Sequence, residues 1–256
     1  MTVETPTPRR ILVLGATGSV GRLVVREAQQ AGHDVVALVR DEKRAARLLP
    51  TGVTLVRGDV AAPAGLAEAL DGVDAIVATL GGDAQRVDFG GMANVLTELG
   101  SRRVHIVLMS VIGAANHDAG MGLIDWKRRG ERLVRASGNT FTIVRPGWFD
   151  MNRDDQQALH FVQGERRWSG SPADGVIGRD QIARTLVAAI TSCAAIGKTF
   201  DLVAERGPAQ ADLEPLFAAL EPDVDGVLDA SWDPDNMPLD AEPESVRRLQ
   251  AELPIR

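Results

Sequence analysis

The chain has 256 residues, 45% of them hydrophobic and 25% charged, with a formal net charge of −7. That length and apolar content predict one large α/β domain, and the acidic balance argues against nucleic acid or an anionic membrane as the main partner. Cys193 is the only cysteine, which excludes an internal disulfide and a cysteine-built metal site.

The first strand, near residues 10–14, runs straight into Gly15-Ala16-Thr17-Gly18-Ser19-Val20-Gly21. Each glycine has a separate task in a dinucleotide site: Gly15 makes the tight turn, Gly18 lets the backbone approach a pyrophosphate, and Gly21 lets the helix pack on the strand. The helix start, with Thr17, Ser19 and Val20, offers N–H groups and a positive dipole end to phosphates. Val20, Leu23, Val24 and Ala28 recur at helical spacing until Gly32 stops the helix.

Further strands are expected at 34–39, 53–57, 73–78, 104–109 and 140–144, and helices at 42–49, after Pro63, at 86–99 and at 122–136. Val/Ile-rich strands alternating with helices predict a doubly wound parallel sheet, a Rossmann fold, with right-handed crossovers. Ligand is expected along the carboxyl ends of the strands. After Arg145 the rhythm changes. The segment Pro146-Gly147-Trp148-Phe149, a polar stretch with Trp168, helices at 180–190 and 213–220 and a strand at 199–203 read as a small substrate cap, about 148–220. This cap belongs to a single domain over 9–220. The neighbours of Cys193 suggest a packed helix, and the Pro- and Asp-rich tail, 221–256, reads as loosely ordered. Residues 1–8 read as a flexible start without a signal sequence. No apolar run is long enough to span a bilayer, and the histidines lack metal-ligand spacing, so a soluble cytoplasmic protein without metal is expected.

Nicotinamide cofactors divide at the end of the second strand, where an acidic residue accepts from a ribose 2′-OH and an arginine receives a 2′-phosphate. Here the sequence is Val39-Arg40-Asp41-Glu42-Lys43. Arg40, with Lys43 about one turn on, favours NADP(H) over NAD(H); Asp41 turned inward would admit NAD(H). Asp41 and Glu42 also suit the first turn of a helix.

The glycine triplet, Val39-Arg40-Asp41, Gly58-Asp59-Val60, Val87-Asp88-Phe89-Gly90-Gly91 and the stretch from Ser137-Gly138 to Arg145-Pro146-Gly147 occur in order. Together they resemble the atypical short-chain dehydrogenase/reductases, the NmrA-like and flavin/biliverdin-reductase-like branch, over about residues 10–205. The resemblance implies that Asp59 and Val60 flank the adenine, and that Leu80 and Gly81 line the ribose-pyrophosphate groove. It also implies that Ser110 sits near the nicotinamide, with the loop from Pro146 through Gly147 and Trp148 to Phe149 closing over the ring.

One departure from that pattern is decisive. Carbonyl-reducing members carry a Tyr four residues before a Lys, yet this chain has no tyrosine and position 123 is leucine. Proton donation by Tyr is excluded; hydride transfer is not, because the reduced cofactor carries it. Lys127 shares an inward helical stripe with Leu123, Gly130 and Val134, and Ser110 ends the fifth strand. These two are the candidate catalytic and cofactor-binding residues, although a snorkelling lysine and a strand-end cap would look the same. Arg128, Arg129, Arg132 and Arg135 fall off the stripe and read as solvated. Met109, Trp148, Phe149, Met151 and Trp168 are candidates for a flat apolar substrate pocket, or for core. The expected activity is NADPH-dependent reduction of a planar or conjugated small molecule (flavin, quinone or enone). A non-catalytic NADP(H) sensor is the alternative, and a nucleotide-sugar epimerase or dehydratase a weaker one.

Overall fold

The computed structural model describes residues 9–117, 122–164 and 168–252, with side chains to 249; the expectation for residues 1–8 lies outside these. Five strands open the chain: β1 (Arg10–Leu14), β2 (Asp34–Val39), β3 (Thr54–Arg57), β4 (Ala75–Ala78) and β5 (His105–Met109). They are followed by β6 (Thr140–Pro146), β7 (Trp148–Phe149), β8 (Ala158–Val162), β9 (Val176–Ile177) and β10 (Lys198–Glu205). Eight of them form one sheet in the order β3-β2-β1-β4-β5-β6-β10-β8. All neighbours are parallel except the edge strand β8, which runs antiparallel to β10.

Helices, the shortest being α3 (Leu66–Ala69) and α7 (Glu214–Ala218), cover both faces, so the central strands are apolar on both sides rather than alternating. Ile11 and Val13 of β1 pack with α1 (Gly21–Gln30) and α6 (Arg179–Thr191), whereas Leu12 and Leu14 pack on the face carrying α4 (Gly90–Leu99) and α5 (Gly122–Ala136). This is the doubly wound α/β fold that the alternation of elements predicts. From β1 the chain winds outward to β2 and β3, then crosses back to β4 on the other side of β1. That reversal leaves a crevice at the carboxyl ends of β1 and β4, the position where such sheets bind ligands.

Several local expectations are corrected. The helix expected over 86–99 begins as a π-helical turn, Ala84–Phe89, whose first N–H groups are capped by Asp83, and continues as α4. Of the expected cap, β10 and β8 join the main sheet, and only the small β7–β9 pair stands apart from it. Cys193 is exposed on a short 3₁₀ turn that follows the end of α6.

The arginines of α5 are not solvated. Arg128 and Arg132 are fully buried, and the acidic tail supplies their counter-charges. Asp229 accepts from Arg128 Nε at 2.9 Å and from Arg132 Nε at 2.8 Å, while Glu242 accepts from Arg132 Nη1 at 2.8 Å. Arg145, in β6, is held between Glu131 (2.6 Å) and Asp233 (2.7 Å). The short helix α8 (Glu244–Glu252) then anchors Val246 in the core. Described residues of the segment expected to be loosely ordered thus form a packed layer. Buried charge is tolerated only when paired, and every guanidinium named here is paired. Desolvation would raise the carboxyl of Asp233, but the guanidiniums of Arg145, Arg128 and Arg135 outweigh it and lower it to about 2.

A dinucleotide-shaped cleft at the sheet's switch point

The crevice is a cleft of about 670 Å³, within the size range of small-molecule sites. Its floor is the glycine turn. Gly15 has φ +81°, and a Cβ there would lie 2.5 Å from the Thr79 carbonyl oxygen. A Cβ on Gly21 would lie 2.1 Å from the Gly15 oxygen, so only glycine lets α1 sit this close to β1. A Cβ on Gly18 would meet only the Gly15 oxygen, at 3.0 Å, and Gly18 is exposed toward the cleft. The three glycines therefore differ: two are fixed by packing, and the middle one borders open space. Thr17, Ser19 and Val20 line the same floor, and the first turn of α1 carries no acidic residue and no side-chain cap. Its N–H groups are the natural seat for a pyrophosphate.

Arg40 lines the cleft at the end of β2, but Lys43 does not; Arg44 takes its place. The cause is local. Asp41 caps α2 (Glu42–Leu48), its carboxylate accepting from the Arg44 N–H at 3.0 Å. That fixes where the helix starts, with Arg40 just before the cap and Arg44 in the first turn, and both border the cleft. It also engages one oxygen of the Asp41 carboxylate, which borders the cleft between the two arginines. Asp59 and Val60 line the opposite wall with Leu80 and Gly81. The Asp59 carboxylate turns back to the Ala61 N–H, and Val60 packs so close to Gly91 that a Cβ there would lie 2.8 Å away.

At the far end, Met109, Ser110, Val111, Leu123, Lys127 and Phe149 converge. Ser110 ends β5 with its N–H bonded to the Val144 carbonyl at 2.8 Å, and its hydroxyl is buried without a partner among the described residues. Lys127 Nζ donates to Asp88 Oδ1 at 2.6 Å, and both side chains are nearly buried. The second carboxylate oxygen of Asp88 has no partner among the described residues. The π-helical turn that places Asp88 opposite Lys127 is the kind of local irregularity found at functional sites.

Five other expected residues lie outside the cleft lining. Pro146 and Gly147 serve through their backbone: the Pro146 carbonyl accepts from Ile112, and the Gly147 N–H bonds Leu202. Trp148 pairs with β9 and has a buried ring N–H without a partner among the described residues. Met151 is exposed. Trp168 is the clearest correction: it covers Gly113, whose Cβ would lie 2.4 Å from its ring. Together with Arg145, Trp232 and Asp233 it bounds a separate cavity of about 80 Å³. Its distance along the chain from the loop beside Phe149 left no sequence signal of that separation. Sequence reasoning missed Arg44, Thr79, Gly82, Val87 and Val111 among the lining residues, and Asp88 as the partner of Lys127.

The residues fit a nicotinamide dinucleotide on structural grounds: a glycine floor, uncapped helix N–H groups, two arginines after β2 and an unpartnered buried hydroxyl at the other end. The chain belongs to the NAD(P)H-binding family whose model matches residues 15–192. It is 28% identical over 206 residues to the photosystem II assembly factor Ycf39 of Synechocystis, covering 77% of this chain and 63% of that protein. An NAD(P)H azoreductase of Xenophilus azovorans is 36% identical over 143 residues, 56% of this chain and 49% of the enzyme. A (4-alkanoyl-5-oxo-2,5-dihydrofuran-3-yl)methyl phosphate reductase of Streptomyces griseus is 32% identical, covering 74% of this chain and 66% of that enzyme. The matched part thus spans about half to two thirds of the length of these relatives. Among solved structures, ChuY, an anaerobilin reductase of Escherichia coli O157:H7, superposes with a TM-score of 0.65 at 21% identity, over 78% of this chain and all of that one. That likeness shows the fold, an α/β Rossmann-like sheet flanked by helices. No helix among the described residues is long and apolar enough to cross a membrane.

Proposed function

We propose that this protein is an NADPH-dependent reductase of a small planar or conjugated molecule, of the flavin, quinone or enone type. The observation that carries the proposal is the cleft itself. At one end it offers two arginines on either side of Asp41, one carboxylate oxygen of which caps α2. At the other, Ser110, Lys127 and an apolar wall of Met109, Leu123 and Phe149 converge. Reductases among the relatives support the same reading.

A bound reduced nicotinamide supplies a hydride. The chain's own residues bind, orient and shield. Arg40 and Arg44 hold a 2′-phosphate by charge-assisted bonds, and the N–H groups after Gly18 hold the pyrophosphate. Lys127, fixed by Asp88, and the Ser110 hydroxyl offer donors to the ribose or to an acceptor oxygen. Leu123 occupies the position of the missing tyrosine, so no phenol delivers a proton at that point. Acceptors that take a hydride and then draw a proton from water suit this site, because positioning supplies most of the rate. Saturated ketones need a proton as the alkoxide forms, and general-acid help there is worth roughly 10²–10⁴-fold. NADPH oxidation followed at 340 nm with flavins, quinones, enones and saturated ketones tests this; turnover with the first three and little with the last is expected.

A further inference from the structure

Arg179, the first residue of α6, lies outside the cleft lining yet is hydrogen-bonded to one residue that forms it and lies over the ring of another. Its Nε donates to the Ser19 hydroxyl at 3.1 Å, and its guanidinium carbon lies 5.1 Å from the centre of the Phe149 ring. Its remaining partner is Asp150, with which it forms an ion pair. The Asp150 carboxylate also accepts from the Arg179 N–H at 3.0 Å. Asp150 itself has φ +55°, and it is the only described non-glycine residue with a positive φ. Such strained conformations persist where the surroundings enforce them, often at binding sites. One cation therefore ties the phosphate-side loop at Ser19 to the loop that brings Phe149 into the cleft, and its side chain is about one third exposed.

We propose that Arg179 is a third cationic binding group, one that engages the pyrophosphate rather than the 2′-phosphate, and that Asp150 is its resting counter-ion. The assignment rests on the dinucleotide reading above. Arg40 follows β2 and Arg44 lies in the first turn of α2, whereas Arg179 is attached to Ser19, within the turn proposed to seat the pyrophosphate. Arginine suits the task because its planar fork can hold one acceptor while reaching a second. Asp150 keeps the guanidinium poised when no anion is present and competes with that anion when one arrives. The affinity from Arg179 is therefore common to NADPH and NADH, in contrast to the affinity from Arg40 and Arg44.

Titration calorimetry with NADPH, NADH, ADP-ribose and adenosine 2′-monophosphate separates these contributions. Arg179→Ala is expected to weaken NADPH, NADH and ADP-ribose alike by about tenfold. It should leave adenosine 2′-monophosphate unchanged and make dinucleotide binding less sensitive to ionic strength. Asp150→Asn keeps a residue that tolerates the left-handed backbone and removes the competing charge, so it should bind ADP-ribose at least as tightly as the unaltered protein. Two results overturn the assignment: unchanged ADP-ribose affinity in Arg179→Ala, or an equal loss in Asp150→Asn, which marks a purely structural clasp. Failure of the unaltered protein to bind any of the four ligands overturns the dinucleotide reading and this assignment with it.

Discussion

Lys127 and Asp88 meet at 2.6 Å at the Ser110 end of the cleft, one on α5 and the other on the π-helical turn before α4. The lysine is therefore held by a partner rather than snorkelling to water. Its neighbour four residues earlier, Leu123, lines the same cleft.

That pairing makes Lys127→Ala a test of two things at once. Removing one partner of a nearly buried pair leaves the other uncompensated, at a cost of ~3–5 kcal/mol. Lys127→Ala should thus lower both the melting temperature and the rate of NADPH oxidation. The double variant Lys127→Met/Asp88→Leu replaces the pair with apolar groups of similar size and should recover most of the melting temperature without recovering turnover. Thermal denaturation and initial rates on the same samples distinguish the two effects.

Cofactor choice should follow the arginines of β2 and α2. A charge-assisted pair to a phosphate is worth ~1.5–3 kcal/mol. Arg40→Ala or Arg44→Ala should therefore weaken NADPH binding by roughly ten- to a hundredfold and change NADH binding little. Lys43→Ala, off the cleft, should change neither. Calorimetric titration of each variant with both cofactors is the check, and a wild-type preference for NADH would count against the assignment.

The glycine floor gives a graded prediction. Gly18→Val places a branched side chain at the edge of the phosphate seat, with its Cβ 3.0 Å from a backbone oxygen. The protein should fold with a modest loss of stability and lose measurable NADPH affinity. Gly21→Ala is different, because its Cβ would lie 2.1 Å from the Gly15 oxygen. That variant should be destabilised far more than Gly18→Val, as circular dichroism melts would show.

The acidic tail should make stability depend on pH. Asp233 is held down to about 2 in the folded chain against an ordinary value of 3.8. A depressed carboxyl stabilises fully above the unfolded value, and that stabilisation is lost as the pH falls through the folded one. Stability should therefore fall between about pH 4 and pH 2. Asp233→Asn should be less stable at pH 7 and show a shallower fall over that window in urea titrations. An unchanged acid profile would remove Asp233 from the tail's ion pairing.

Local patterns in the sequence carried the glycine turn, the winding of the sheet and the two ends of the cleft, because those depend on spacing within one or two elements. Arg44 was missed because the Asp41 cap sets where α2 starts, and a shift of one residue exchanges Lys43 for Arg44 at the cleft. The tail was misread for a different reason. Composition alone reads Asp223, Asp229, Asp233 and Glu242 as solvated charge, and the arginines at 128, 132 and 135 likewise. Their partners lie about 90 to 110 residues apart, so neither set reveals the other. The i, i+4, i+7 stripe of arginines on one face of α5 was the visible half of that interface. Trp168 and Met151 could not be placed from their types, since an aromatic or a methionine serves a core, a cavity or a surface equally well.

The central claim is that this cleft turns NADPH over without a tyrosine. The most direct measurement is single-turnover oxidation of NADPH, followed at 340 nm by the purified protein with a flavin, a quinone, an enone and a saturated ketone. Oxidation well above buffer with at least one of the first three acceptors, and little with the ketone, is the predicted result. Tight NADPH binding with no oxidation above buffer for any acceptor would contradict it, leaving a protein that senses the cofactor without using it.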